Sequence, residues 1–250
     1  MESTMLLETY LRQLRLPTFL QNYHKFAEDA AQKDLSYDRF LLALAEQEII
    51  QREQNRIVRR IKAARFPVQK ELADFDFSLI PKLSKAKILD LARGEYIDRR
   101  EPILMIGNPG VGKTHVATGL GLAACRQGRK VRFYTAARLV NELLQAQDEH
   151  RLHDFIAAAL KQHLIILDEL GFIPFTSTGS QLLFTFCSEL YERIALIVTT
   201  NLKFADWVQV FGSERLTAAL LDRLTHRAHI VMFKRMSNMI QKGRSPTRDL

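Results

Sequence analysis

Residues 102–115 read Pro-Ile-Leu-Met-Ile-Gly-Asn-Pro-Gly-Val-Gly-Lys-Thr-His, a short apolar run that ends in a glycine-rich turn followed by a lysine and a threonine. The spacing Gly107, Gly110, Gly112, Lys113, Thr114 satisfies the Walker A pattern of a phosphate-binding loop. Without a Cβ, the three glycines let the backbone take left-handed angles and turn its N–H groups inward around an anion. Asn108, Pro109 and Val111 complete the loop, and His115 follows it. Lys113 is expected to neutralise the β- and γ-phosphates, and Thr114 to offer a hydroxyl ligand to Mg²⁺. The helix starting here would point its positive dipole end at the phosphates. A glycine-rich turn before a lysine also arises by chance, but here a strand candidate at 103–106 precedes it and an amphipathic helix at 116–127 follows it, the context such a loop requires.

Working outward, 250 residues with 47% apolar side chains suit a chain that buries a real core. No apolar run approaches the length that spans a bilayer, and the first residues carry Glu2 and Glu8 in place of a basic leader, so no membrane partner and a cytoplasmic location are expected. The two cysteines, Cys125 and Cys187, lie far apart and support neither a disulfide framework nor a zinc site. A net charge of +8 favours an anionic partner, with nucleic acid first in line beside a phosphate loop.

Residues 5–65 contain no glycine and a single proline, Pro17, which predicts a helical module over 1–65. Leu6, Leu7, Tyr10, Leu11 and Leu14 recur at helical spacing, Pro17 suits the first turn of a second helix, and Ser36 can cap a third over 37–65. The second half of that third helix carries Arg52, Arg56 and Arg59 on one face. This is either a stripe suited to a phosphate backbone or a solvated helix end whose cations favour the dipole. From 66 to 84 the pattern breaks at Pro67, Asp74, Phe75, Asp76 and Phe77, which reads as a linker. Ser84 can cap a short helix over 85–93 that Gly94 ends. Tyr96 and Ile97 then either line an adenine pocket or pack under a sheet.

Further strands are expected at 131–134, 163–167, 195–199 and 229–233, within a nucleotide-binding domain over 85–233. Two helical stretches, 136–147 and 152–162, separate the second and third strands where one crossover helix would suffice, so the extra helix reads as an insertion. The third strand runs His-Leu-Ile-Ile-Leu into Asp168 and Glu169, a Walker B signature. Its aliphatic run suits a strand buried on both faces, with Asp168 at the carboxyl end where ligands collect in open α/β sheets. Asp168 is expected to hold Mg²⁺ through water, and Glu169 to polarise an attacking water. Residues 171–179 read as a loop, and 180–193 as a helix with Leu182, Leu183, Phe186 and Leu190 inward. Asn201, just past the fourth strand, either senses the γ-phosphate or its water, or is an ordinary turn asparagine. A basic tail, 234–250, closes the chain and leaves no room for a helical lid domain.

Taken together, residues 107–114, 164–171, 199–202 and the Leu-Asp-Arg-Leu at 221–224 resemble the IstB-like transposition ATPases, relatives of bacterial helicase loaders and initiators in the AAA+ class. Phe75-Asp76-Phe77 in the linker strengthens the likeness. The resemblance implies an α/β P-loop AAA+ core, with a parallel five-stranded sheet, the Walker strands central and helices on its flanks. It also implies an initiator-type insertion at 136–162, ATP and Mg²⁺ as cofactors, and self-association on double-stranded DNA beside a cognate transposase in a bacterial cytoplasm. In that family Asn201 matches the first sensor, and Arg223 matches the arginine finger that reaches a neighbour's γ-phosphate. Relatives carry Ser-Tyr-Arg after the last strand, where this chain has Ser237-Asn238-Met239. Arg235 either substitutes for that second sensor or the contact is missing. Rival functions are a helicase loader of the same fold, a small-molecule P-loop kinase, disfavoured by Glu169 because a kinase must exclude water, and a nucleotide-gated adaptor with negligible turnover.

Overall fold

The computed structural model describes residues 2–172 and 174–234, so the expectations for Arg235, Met239 and the tail lie outside the described residues. The chain divides into two compact units, Met1–Arg59 and Arg60–Leu250.

In the first unit, α1 (Glu2–Gln13) and α2 (Pro17–Gln32) are followed by α3 (Tyr37–Ala64), which crosses the division between units. Pro17 opens α2, because its missing N–H would have no helical partner there. The residue before it, Leu16, offers no side-chain cap. Glu48, 4% exposed on α3, supplies one from a distance, its carboxylate accepting the Thr18 N–H at 2.9 Å and the Arg52 Nε–H at 2.7 Å. A negative charge set against the first turn also suits the helix dipole. Arg52 in addition donates to the Arg15 carbonyl at 2.6 Å, so the first cation of the expected stripe is a tie within this unit. Arg56 pairs with Glu53 at 3.3 Å, and Arg59 is exposed.

The second unit continues through two short 3₁₀ turns, Leu72–Asp74 and Phe77–Leu79, then α4 (Lys85–Leu91), α5 (Glu95–Asp98) and β1 (Ile103–Gly107). Next come α6 (Lys113–Arg126), β2 (Val131–Thr135), α7 (Ala136–Asp148), α8 (Leu152–Ala159) and β3 (Leu164–Leu170). The order closes with α9 (Ser177–Leu190), β4 (Ala195–Thr200), α10 (Val208–Phe211), α11 (Glu214–Thr225) and β5 (His229–Phe233).

The five strands form one parallel sheet in the order β2-β3-β4-β1-β5. Both Walker strands are internal, but the middle of the sheet belongs to β4, which pairs with β1 on one side and β3 on the other. One face is covered by α6 with the segment around Ile80, Ile88 and Tyr96, and the other by α7, α9, α10 and α11. Tyr96 and Ile97, at 3% and 5% exposure, belong to the first of these clusters and are packing residues.

Three expectations change for physical reasons. The helix after the loop is not amphipathic, since every residue from Val116 to Leu122 is buried. Its outward face is roofed by the segment read as a linker: Leu72 lies against Gly119, and Phe66 against Gly121. Phe66, Leu72, Phe75 and Phe77 all pack on the core, so 66–84 is part of this unit's wall. The loop expected over 171–179 is shorter, because the Thr176 hydroxyl accepts the Gly179 N–H at 3.1 Å and starts α9 three residues before Ser180. Gly179 is in the helix to let Val140 approach, where a Cβ would clash.

Candidate nucleotide-binding site

The site lies at the carboxyl ends of β1, β3 and β4, the edge where open parallel sheets collect their ligands. Between β1 and α6 the backbone is left-handed at Gly110 (φ 75°) and Gly112 (φ 91°), the two positions where an anion-cradling turn needs glycine. Gly107 serves differently. Its φ is not positive, and a Cβ there would collide with the Phe233 carbonyl oxygen, so its role is to let β1 end tight against β5. At Gly112 a Cβ would meet the Phe75 ring, which packs edge-on to His115 with ring centroids 5.2 Å apart. His115 Nε2 donates to the Glu71 carbonyl at 2.7 Å, and the Glu71 carboxylate takes a two-pronged ion pair from Arg126 at the far end of α6. The wall segment is thereby pinned at both ends of the helix that begins the site. Arg126 holds the Glu71 carboxyl below its ordinary range, first through the hydrogen bonds and then through charge.

A cavity of about 310 Å³ is lined by Pro109, Gly110, Gly112, Lys113, Thr114 and His115, facing Glu169 and Asn201. Thr199, Thr200, Lys70 and Phe172 complete it. Gly107 and Asn108 contribute backbone, their carbonyls accepting from Lys113 Nζ at 2.6 and 2.8 Å. Val111 is 9% exposed and faces a neighbouring cavity of about 270 Å³ with Phe75, Leu79 and Ile80. Partial burial pulls the Lys113 ammonium below its ordinary value, opposed by the charges of Asp168 and Glu169.

Asp168 is 2% exposed and is hydrogen-bonded by two hydroxyls, Thr114 sharing its one proton between the two carboxylate oxygens at 2.9 Å and 3.0 Å, and Thr199 donating at 2.5 Å. Burial pushes its carboxyl above the usual range, while the bonds from Thr199 and Thr114 and the Lys113 charge pull the other way. Glu169, by contrast, is exposed to the cavity and held at φ 61°, a left-handed conformation unusual for a non-glycine residue. That region costs roughly 1–2 kcal/mol for an L-residue, so something must fix it.

Asn201 immediately follows β4 and faces the cavity, next to Thr200. Arg223 does not. Within this chain its guanidinium lies 5.1 Å from the Phe184 ring centroid and donates to the Ala219 carbonyl at 2.9 Å, away from the residues that line the cavity. Nothing in the sequence singles out Lys70 or Phe172, and Thr199 enters only as the first residue of the stretch 199–202, with no role of its own. Lys70 and Phe172 carry no motif, and Thr199 reads as one more β-branched strand residue.

Over residues 9–245 the chain matches the family described as IstB-like ATP binding protein. The chain belongs to that family. It is 34% identical to the ATP-binding protein of insertion sequence IS5376 from Geobacillus stearothermophilus, across 94% of each protein. Among solved structures, the DnaC helicase loader superposes with a TM-score of 0.50 at 20% identity, covering 60% of this chain and 87% of that one. The replication initiator DnaA bound to AMPPCP and single-stranded DNA gives 0.55 at 18% identity, over 68% of this chain and 51% of that one. The IstB-like chain therefore has the AAA+ fold and is an ATP-binding protein of the ATPase class. No helix among its described residues is long and apolar enough to cross a membrane.

Proposed function

We propose that this IstB-like ATPase hydrolyses ATP with Mg²⁺ while assembled in several copies on duplex DNA, and that it assists a transposase in choosing its target. The observation that carries the reading is the meeting of Lys113, Thr114, Glu169 and Asn201 around one cavity, with Asp168 buried directly beneath Thr114. Membership of a family of insertion-sequence ATP-binding proteins supplies the transposition context.

Each side chain has a distinct task. The loop N–H groups and Lys113 bind phosphate, and the start of α6 adds its positive dipole end. Thr114 and Asp168 form an all-oxygen donor set of the kind Mg²⁺ takes, and they would hold the ion with water and phosphate oxygens. Bound there, Mg²⁺ would neutralise charge on the β- and γ-phosphates. Glu169, exposed and turned toward the cavity, orients and polarises the attacking water. Asn201 lies where it can hold that water or sense the γ-phosphate. The neighbouring cavity at Phe75, Leu79, Ile80 and Val111 has the apolar lining a base would use. Arg223 is not among the residues that line its own cavity, and it is assigned as an arginine finger that would act on the phosphate held by a second copy.

The rate of ATP hydrolysis with and without duplex DNA tests the DNA-dependent ATPase at the centre of the reading. Stimulation by duplex of any sequence is expected, and a rate indifferent to DNA at saturating ATP would overturn it. The likeness to the DnaC helicase loader supports a second reading, a loader of the same fold. Pull-downs against a transposase and against a replicative helicase separate the two.

A further inference from the structure

The third and fourth strands fall out of register at the site. Leu167 pairs with Val198 and Leu170 with Thr200, so Asp168 and Glu169 on β3 face the single residue Thr199 on β4. This is a one-residue bulge in a parallel pair, the kind of irregularity that turns a side chain toward an active site. Glu169 is the residue in the left-handed region, and Leu170 resumes the ladder at 1% exposure.

Thr199 closes the bulge. It is 1% exposed, and its one hydroxyl works in both directions: it donates to Asp168 Oδ1 at 2.5 Å and accepts the Glu169 N–H at 3.0 Å. The regular ladder no longer serves that amide, so the hydroxyl takes the place of a strand partner. Its proton goes to one acid of the pair and its lone pair to the backbone of the other. On the other side, Thr199 stands in register with Met105 of β1, the strand that leads into the phosphate loop.

We propose that Thr199 is a positioning residue for hydrolysis, holding the bulge that aims Glu169 at the cavity and orienting the Asp168 carboxylate beside Thr114. The inference rests on the reading of Glu169 and Asp168 given above. Thr199 borders the cavity, but its hydroxyl is engaged by Asp168 and Glu169, so it acts on hydrolysis through both acids at once. It also makes the strand that ends at Asn201 the part of the fold that sets the geometry of the acid pair.

The test compares Thr199→Val, which keeps the shape and removes the hydroxyl, with Thr199→Ser, which keeps the hydroxyl. ATP affinity is read without Mg²⁺. Hydrolysis is read as kcat, KM and the Mg²⁺ concentration giving half-maximal rate, with duplex DNA present. For the valine variant, metal-free ATP affinity within about twofold of the parent is expected, with kcat lower by roughly 10- to 100-fold, the usual effect of removing an outer hydrogen bond to a metal-site carboxylate. The Mg²⁺ requirement should rise while KM for ATP changes far less. The serine variant should return kcat to within about threefold of the parent, because it restores both bonds.

A valine variant with parental kcat and Mg²⁺ requirement overturns the proposal. So does a serine variant as slow as the valine one, which would show that the methyl group's packing is what matters. Should the valine protein fail to bind ATP, Thr199→Cys, with a thiol that hydrogen-bonds weakly, takes its place under the same readings. Glu169→Gln, measured alongside, separates the two levels. If it retains turnover, the assignment of the acids is wrong. If it loses turnover while Thr199→Val does not, only the role of Thr199 fails.

Discussion

Around the sheet of the ATPase unit both faces are covered, and the strands β3 and β4 are buried almost throughout. In the helical unit, 1–59, Leu11 and Leu44 are the buried apolar side chains among the described residues, while Leu6, Leu14, Leu41, Ile49, Ile50 and Val58 are all more than half exposed. Apolar periodicity predicts helices equally well in both. Only in the central strands β3 and β4 does the apolar run also tell which residues are covered. A central parallel strand needs apolar residues on both faces to exist, whereas a helix can form with its stripe open to solvent. The difference fits a division of labour in which the second unit carries the chemistry and the first contacts other molecules.

The sharpest way to break that division is to remove the chemistry. Lys113→Ala should abolish ATP binding, and Glu169→Gln should keep binding and lose hydrolysis, since the lysine contacts phosphate and the acid acts on water. Neither should change the stability of the helical unit. Equilibrium nucleotide binding beside steady-state turnover decides it, and undiminished turnover in the glutamine variant would sink the assignment.

Arg223→Ala comes next, with a loss of roughly 10³-fold in turnover if the arginine acts on a neighbour's phosphate. Mixed with Lys113→Ala protein, it should regain part of its rate, one copy supplying the site and the other the finger. Co-assembly without recovery would return Arg223 to its own subunit, held by Phe184 and Ala219.

Smaller effects belong to the helical unit. Glu48→Ala leaves the Thr18 amide and Arg52 without their carboxylate and should cost about 1–3 kcal/mol. Hydrogen exchange of the α2 amides should report it, with metal-free ATP affinity unchanged. Burial alone would raise the Glu48 carboxyl, but the bonds from Thr18 and then Arg52 outweigh it and leave it below 4.5. A carboxyl lowered in the folded state contributes stability above its unfolded value. That contribution is therefore full above about pH 4.5 and fades as the pH falls through the folded value. Unchanged α2 protection on acidification in that window would contradict the assignment.

The smallest effect expected is on DNA. Arg56→Glu with Arg59→Glu should weaken binding to all duplexes alike and flatten the salt dependence by about one unit for each phosphate no longer bound. Arg52 is left out because it is tied to Glu48 and the Arg15 carbonyl. An unchanged slope would make the pair a solvated helix end and move the search to α7 and α8.

Much of the site is legible in the sequence because a phosphate loop is a local device. Its glycines, lysine and threonine are neighbours in the chain, and the five strands announce themselves as short aliphatic, β-branched or aromatic runs between turns. Less legible is anything that depends on which strand lies beside which. Asn201 belongs at the site only on condition that its strand touches both Walker strands, and the pairing of β4 with β1 and β3 meets that condition. The wall at 66–84 is hidden for the opposite reason: its prolines and aspartates look like a tether, and the six apolar side chains that dock it, Phe66, Leu72, Phe75, Phe77, Ile80 and Leu83, are spread too irregularly to show a period.

By itself, then, the sequence determined the phosphate loop, the acid pair and the helical start of the chain, since each is written in residues close together along the backbone, and the family through the combination of its motifs. The tertiary structure decided what joins them. Thr199 meets Asp168 across 31 residues, His115 meets the Glu71 carbonyl across 44, and Glu48 caps a helix at Thr18 across 30. A side chain's period along the chain says which way it faces. What stands opposite depends on packing, and in this protein packing turns Glu169 toward the nucleotide cavity and leaves the apolar stripe of the first helices open.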